Sequence, residues 1–142
     1  MPAFSPRSLA RMATCDPDLR VLFETVIEER DCTILCGARG EEEQTEAYRT
    51  GRSKVQWPDS RHNAGPGAPR DLADAVDVLP YPIDWSDRER NCLFAGYVLG
   101  VAAMLRADGL MDRRVRWGGD WDRDGMTLDE RFFDGPHFEL ID

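Results

Sequence analysis

The strongest constraint on this chain's fold is the run of helical signal between Ser86 and Gly109. Ser86, with Glu89 three residues later, reads as a capping box and starts a helix at about Asp87. Leu93, Phe94, Tyr97, Val98, Val101, Met104 and Leu105 then recur at helical spacing. Gly109 ends the helix after about Ala107. A helix with one long apolar face must bury that face against another layer, and the rest of the chain supplies only short elements for that layer. Ser5-Pro6 and Asp16-Pro17 each pair a capping residue with a proline at the first helical position. They predict helices from Pro6 to about Met12 and from Pro17 to about Arg30, the second with Leu19, Leu22, Phe23, Val26 and Ile27 on one stripe. Glu41 to Arg49 reads as a helix with acids in its first turn. Short apolar strands are expected at 33–36, 75–79 (stopped by Pro80), 115–117 and 137–140. The segment from Gly51 to about Asp71 is rich in Gly, Pro, Ser and Asn and reads as a long loop. There is no repeat and no low-complexity tract. The expectation is a single α+β domain over residues 1–142, with the long helix on a small, mostly antiparallel sheet.

Charge narrows the function. Eighteen basic against 27 acidic residues leave a net charge of −9, with a pI near 4.7 and a mean hydropathy of −0.52. A broad duplex nucleic-acid surface needs the opposite sign, as does docking on an anionic membrane. No apolar run approaches the roughly 18 residues of a spanning helix. No signal peptide is evident at the N-terminus, so the four cysteines (Cys15, Cys32, Cys36 and Cys92) are expected to be reduced thiols. Cys32-x-x-x-Cys36 is one residue too long for a Cys-x-x-Cys motif, and Cys36 reads as a small buried hydrophobe.

The chain has only two histidines, His62 and His137. Asp77 lies in an apolar strand between them, where an unpaired carboxylate would be costly. Two imidazoles and a carboxylate are a common catalytic zinc set, with a fourth position left for water. A further carboxylate must then take the proton of that water and pass it to the leaving amine. Asp134, three residues before His137, is placed for that task. Spacing alone leaves the alternative open, because paired histidines in a small domain commonly hold no metal.

Three blocks carry a resemblance. They are Gly37-Ala38-Arg39-Gly40 with Gln44, then Ser60-Arg61-His62 with Ala73-Asp74-Ala75-Val76-Asp77. The third is Trp117-Gly118-Gly119-Asp120-Trp121 with Asp134-Gly135-Pro136-His137-Phe138-Glu139. Together they resemble the D-alanyl-D-alanine carboxypeptidase superfamily of zinc peptidases, whose fold is shared with Hedgehog domains. Within it the nearest branch is that of the phage L-alanyl-D-glutamate endopeptidases. The third block is the most specific. The resemblance implies a Zn2+ held by His62, Asp77 and His137, with Asp134 as general base. It also implies Arg39 at the scissile carbonyl oxygen, where a permanently charged guanidinium suits an oxyanion. Ser60 is expected to orient the loop or a ligand. Gln44 and Trp57 are candidates for a supporting or substrate-facing role.

One departure concerns the carboxylate. The family pattern places its Asp where this chain has Pro69, whereas Asp77 lies fifteen residues after His62. The extra residues, 63–70, have the Gly/Pro character of an inserted loop, and Ala73 stands where the family has Gly. Asp77 keeps the local pattern, Asp74 is the fallback, and Asp71 is a weaker alternative.

Asp120-Trp121-Asp122-Arg123-Asp124-Gly125 opens like a calcium loop. Asp120, Asp122 and Asp124 would bind Ca2+ with the Met126 carbonyl, closed by Glu130 or Asp129, because the usual Glu position is Arg131. Some related endolysins carry such a loop. The other reading is a solvated acidic turn.

Taken together, these features predict an endolysin acting on peptidoglycan stem peptides at the L-alanyl-D-glutamate bond. It would be a monomer, made in a host cytoplasm and released to the wall by a separate membrane-permeabilising protein. A D-alanyl-D-alanine carboxypeptidase or dipeptidase and a non-catalytic calcium- or wall-binding module are the alternatives.

Overall fold

The computed structural model describes residues 2–142. Along the chain run helices α1 (Pro6–Met12) and α2 (Pro17–Glu29), strand β1 (Cys32–Cys36), helix α3 (Glu41–Arg49), strand β2 (Ala75–Pro80), helix α4 (Arg88–Ala107) and strands β3 (Arg114–Trp117) and β4 (His137–Ile141). The strands form one antiparallel sheet in the order β1-β2-β4-β3. This is the α+β architecture expected from the sequence.

The proline-led helices start as expected. The Ser5 hydroxyl accepts from the Ser8 amide at 3.1 Å, and the Asp16 carboxylate accepts from the Asp18 amide at 2.9 Å. All five residues of the α2 stripe are buried. Strand alternation then divides the sheet's side chains between two faces. Val76, Val78, Phe138 and Leu140 face the helices. Phe138 meets Phe23 of α2 at 5.5 Å and Phe94 of α4 at 6.5 Å between ring centroids, both edge-on. Asp77, His137 and Glu139 therefore fall on the opposite face, where residues 60–63 cover them. Pairing puts Asp77 opposite His137 on one side and Cys36 on the other.

Helix α4 differs from expectation in two respects. Asp87, not Ser86, caps it: the Asp87 carboxylate accepts from the Arg90 amide at 3.1 Å, while the Ser86 hydroxyl donates to Asp84 at 2.7 Å. Its buried face is Asn91, Phe94, Ala95, Val98, Ala102 and Leu105, and Leu93 and Met104 are 78% and 68% exposed. The helix is rotated so that two alanines turn inward, where a small side chain lets α4 approach α2 and the sheet. The far end follows the expected pattern. The Gly109 amide donates to Arg106 O at 3.0 Å and the Leu110 amide to Leu105 O at 2.8 Å, a Schellman closure with Gly109 at positive φ. Strand β2 also runs one residue further than expected, through Pro80. Among the described residues, no helix is long and apolar enough to cross a membrane.

Candidate metal centre

Two of the three central side chains come from the sheet and one from a loop. Asp77, within β2, and His137, the first residue of β4, are cross-strand neighbours. His62 comes from the long loop, which has no regular structure but is tightly bonded. The Ser60 hydroxyl accepts from the His62 amide at 3.2 Å, and Asn63 Oδ1 accepts from the Ser60 amide at 3.0 Å. The Arg70 guanidinium donates to the carbonyls of Ser60 and Asn63, both at 3.0 Å. Ser60 thus braces the backbone of His62 and does not reach the centre itself. His62 O accepts from the Arg39 amide at 2.7 Å, which ties the loop to the turn after β1.

His62 Nε2 lies 3.2 Å from Asp77 Oδ1 and 3.2 Å from His137 Nδ1, and His137 Nδ1 lies 3.3 Å from Asp77 Oδ1. The outer ring nitrogens have fixed partners. His62 Nδ1 lies 2.8 Å from Gly37 O, and His137 Nε2 lies 2.7 Å from Glu139 Oε1. A carbonyl and a carboxylate only accept, so both outer nitrogens carry the proton. In the neutral rings the two inner nitrogens are then bare lone pairs, and together with Asp77 they place three acceptors around one point. Buried acceptors without a donor are costly, so this arrangement calls for a cation. The donor set, two imidazoles and one carboxylate, fits a divalent metal ion with a position left open. These three side chains could hold a metal ion.

The titration behaviour has the same origin. Burial works against a charge on His62, but Asp77 beside it pushes its pKa up to about 10. Burial would raise the Asp77 pKa, and the two histidines hold it well below the usual carboxylate range instead. Asp134 behaves in the opposite way. Its carboxylate lies 3.9 Å from His137 Nδ1. Burial first, and then the nearby Asp77 charge, push its pKa up to about 6, inside the range useful for a base near neutrality.

Two glycines permit this packing. A Cβ on Gly118 would collide with the backbone of Asp134, and one on Gly37 would collide with Thr14 and the Arg11 carbonyl. Gly37 supplies the carbonyl that orients His62, and Gly118 pairs its backbone with Asp134 and His137.

Arg39 lies at the rim of the centre, with Nη2 at 3.7 Å from Asp77 Oδ2 and at 3.8 Å from Cys36 Sγ. Its Nη1 donates to Gln44 Oε1 at 3.0 Å. Asp74, the fallback ligand, is turned away and bonds Arg113 at 2.8 Å and Arg70 at 3.4 Å, and Asp71 is exposed. Trp57 is half-buried within its own loop, beside Gly67.

Sequence reasoning named two residues of the centre only as motif positions and gave them no role. Glu139 is buried, and Arg116 at 2.6 Å and Arg61 at 3.1 Å hold its second oxygen. Burial would raise its pKa, but His137 and Arg116 lower it to about 2. The signal was its alternation with His137 on one strand. Trp121, rather than Trp57, is the aromatic at the centre. Its ring lies 5.3 Å from that of His137, and its Nε1 donates to Phe132 O at 2.6 Å.

A second acidic group is formed by Asp120, Asp122, Asp124 and Glu130. Its carboxylates accept from amides of their own loop. Asp120 accepts from Asp124 at 3.1 Å and Gly125 at 2.9 Å, Asp124 from Met126 at 2.8 Å, and Glu130 from Trp121 at 3.1 Å. Asp122 and Asp124 are exposed.

Comparison with known proteins bears on the fold and the family. No curated protein matches the sequence significantly. A solved structure, the crystal structure of Serratia marcescens L-Ala D-Glu endopeptidase ChiX, superposes with a TM-score of 0.69 at 25% identity, over 98% of this chain and 90% of that one. The sequence profile of the phage L-alanyl-D-glutamate peptidases matches residues 2–141. The chain belongs to the phage L-alanyl-D-glutamate peptidase family.

Proposed function

We propose that this peptidase is a zinc-dependent endopeptidase that hydrolyses the L-alanyl-D-glutamate bond of peptidoglycan stem peptides. One observation carries the reading: three convergent acceptors, two of them with their outer nitrogens pinned, lie beside a carboxylate whose pKa is raised toward neutrality. A binding module needs no such carboxylate, whereas hydrolysis of an amide does.

His62 Nε2, Asp77 Oδ1 and His137 Nδ1 would hold the ion. When bound, zinc supplies Lewis acidity and brings the pKa of a coordinated water toward about 7. Asp134 takes the proton of the attacking water on its carboxylate and later delivers it to the departing amine of D-glutamate. In the metal-free site, burial and then the Asp77 charge raise the Asp134 pKa, the direction that suits a carboxylate that takes up a proton and returns it. Arg39 presents its guanidinium to the carbonyl oxygen of L-alanine as that oxygen becomes negative. Glu139 keeps the outer proton on His137 and holds the ring, so that Nδ1 stays directed at the centre. Trp121 covers His137 and excludes water from that side.

Mass spectrometry of fragments released from isolated peptidoglycan tests this reading. New N-terminal D-glutamate, lost on chelation and restored by zinc, is the expected result. Release of D-alanine alone would move the chain to the carboxypeptidase reading. An undigested wall with zinc bound would refute the proposed substrate.

A further inference from the structure

Gln44 is a polar side chain with 0% exposure, and every hydrogen-bonding position of its amide is occupied. Its Oε1 accepts from Arg39 Nη1 and from Asn63 Nδ2, both at 3.0 Å. Its Nε2 donates to Ser53 Oγ at 2.9 Å and to Val55 O at 2.7 Å. The partners fix the orientation of the amide. Turned over, its NH2 would face the guanidinium and the Asn63 amide, donor against donor, and its carbonyl would face that of Val55. No lone pair or proton remains for a substrate. Gln44 sits one turn into α3, with its amide bonded to Gly40 O at 2.9 Å, and faces inward from an otherwise exposed first turn.

We propose that Gln44 is the positioning residue for Arg39: a neutral, fully engaged amide that holds the guanidinium toward the His62–Asp77–His137 centre and leaves its charge for the substrate. This inference rests on the reading of Arg39 as the group that meets the carbonyl oxygen. Neutrality matters because a carboxylate in the same place would hold Arg39 but add a second compensating charge beside Asp77, which already lies 3.7 Å from its Nη2. Asn63 couples the arrangement to His62, since it follows His62 directly and bonds the same Gln44 oxygen. The 53–55 turn is tied in through Nε2. The guanidinium is thus oriented before substrate arrives, which avoids reorganisation during the reaction.

The test is a double-mutant cycle on the zinc-loaded enzyme, with a stem peptide containing L-Ala-D-Glu as substrate. Gln44→Met, close to isosteric, is expected to lower kcat about 10- to 100-fold, within the range for losing one oriented donor, with KM within about twofold. In an Arg39→Ala background the same change should alter kcat by less than about twofold, because the residue it positions is gone. Zinc stoichiometry should be unchanged in every variant. In the metal-free protein, 15N NMR should show slowly exchanging guanidinium protons for Arg39, absent in Gln44→Met. Equal losses in both backgrounds, or wild-type kcat in Gln44→Met, overturn the inference. Wild-type kcat in Arg39→Ala overturns the reading of Arg39 itself, a separate outcome. Should Gln44→Met not fold, Gln44→Glu keeps the oxygen that accepts from Arg39 and Asn63 and loses the donations to Ser53 Oγ and Val55 O. It should preserve the Arg39 proton protection yet lower kcat, and wild-type kcat in that variant would overturn the inference.

Discussion

The molecule has two clusters of metal-ligating side chains, and they satisfy their charges in different ways. Around Asp77 the acceptors are buried, belong to elements far apart in sequence, and have no donor among them unless a proton or a cation enters. Around Asp120 the carboxylates lie within one loop, largely in water, and each finds an amide of that same loop. The acidic loop is braced by Asx-type bonds, although burial and neighbouring acids raise the pKa of Asp120 and Glu130, whereas the inner acceptors of the His62–Asp77–His137 centre have no donor of their own. The balance of donors and acceptors separates the two clusters more sharply than the proximity of their acids.

The strongest way to break this contrast is His137→Ala, which removes an inner acceptor and the partner of Glu139. Turnover should fall below detection and the tight zinc site should vanish, read by metal analysis after dialysis. Retained stoichiometric zinc would put the ion elsewhere. Next in size, Asp134→Asn should lower kcat by about 10²- to 10⁴-fold with zinc still bound. It should also stabilise the metal-free protein at pH 7. The folded pKa of Asp134 is raised from 3.8 to about 6, so below the lower value both states are protonated and the charge costs nothing. Between the two values the unfolded state ionises while the native state keeps the proton, so stability falls as pH rises and levels off above about 6. Thermal melts should show Asp134→Asn more stable by up to about 3 kcal/mol at pH 7 and equal to wild type near pH 3. A destabilised variant at pH 7 would contradict the burial argument.

Smaller effects sharpen the comparison. Glu139→Gln should weaken zinc about 10- to 100-fold, measured by competition with a chelator, because the neutral amide holds the outer proton of His137 less firmly. In the acidic loop, Asp122→Asn should leave zinc affinity unchanged and shift stability by no more than about 0.5 kcal/mol. Calcium titration by calorimetry is the matching probe. A calcium site abolished by Asp122→Asn would mean that the loop is incomplete after all, and the contrast between the clusters would narrow.

Much of this was legible in the sequence, for identifiable reasons. Capping residues followed by proline marked the starts of α1 and α2, because those signals act locally. The two histidines with Asp77 and Asp134 left a metal centre as one of two readings, and the resemblance of the run from Asp134 to Glu139 to a zinc-peptidase block is what favoured it. The rotation of α4 was hidden, since Leu93 and Met104 look more apolar than Ala95 and Ala102 and only the facing helix decides which is turned inward. Asp77 could not be separated from Asp74 by spacing. The separation comes from register, which sets Asp77 opposite His137 and sends Asp74 to Arg113. Glu139 and Trp121 were given no role for the same reason: their roles exist only once β4 is paired and the loop before it has folded back.

The most direct test of the central claim is calorimetric titration of zinc into the metal-free protein at pH 7, repeated in buffers of different ionisation enthalpy. In the metal-free state His62 carries the charge that the three acceptors demand, with a pKa near 10, and a metal ligand must be neutral. The account predicts one tight site that releases about one proton from the protein for each zinc bound, with both binding and release lost in Asp77→Asn. Tight zinc binding without proton release, or binding that survives Asp77→Asn, would contradict it.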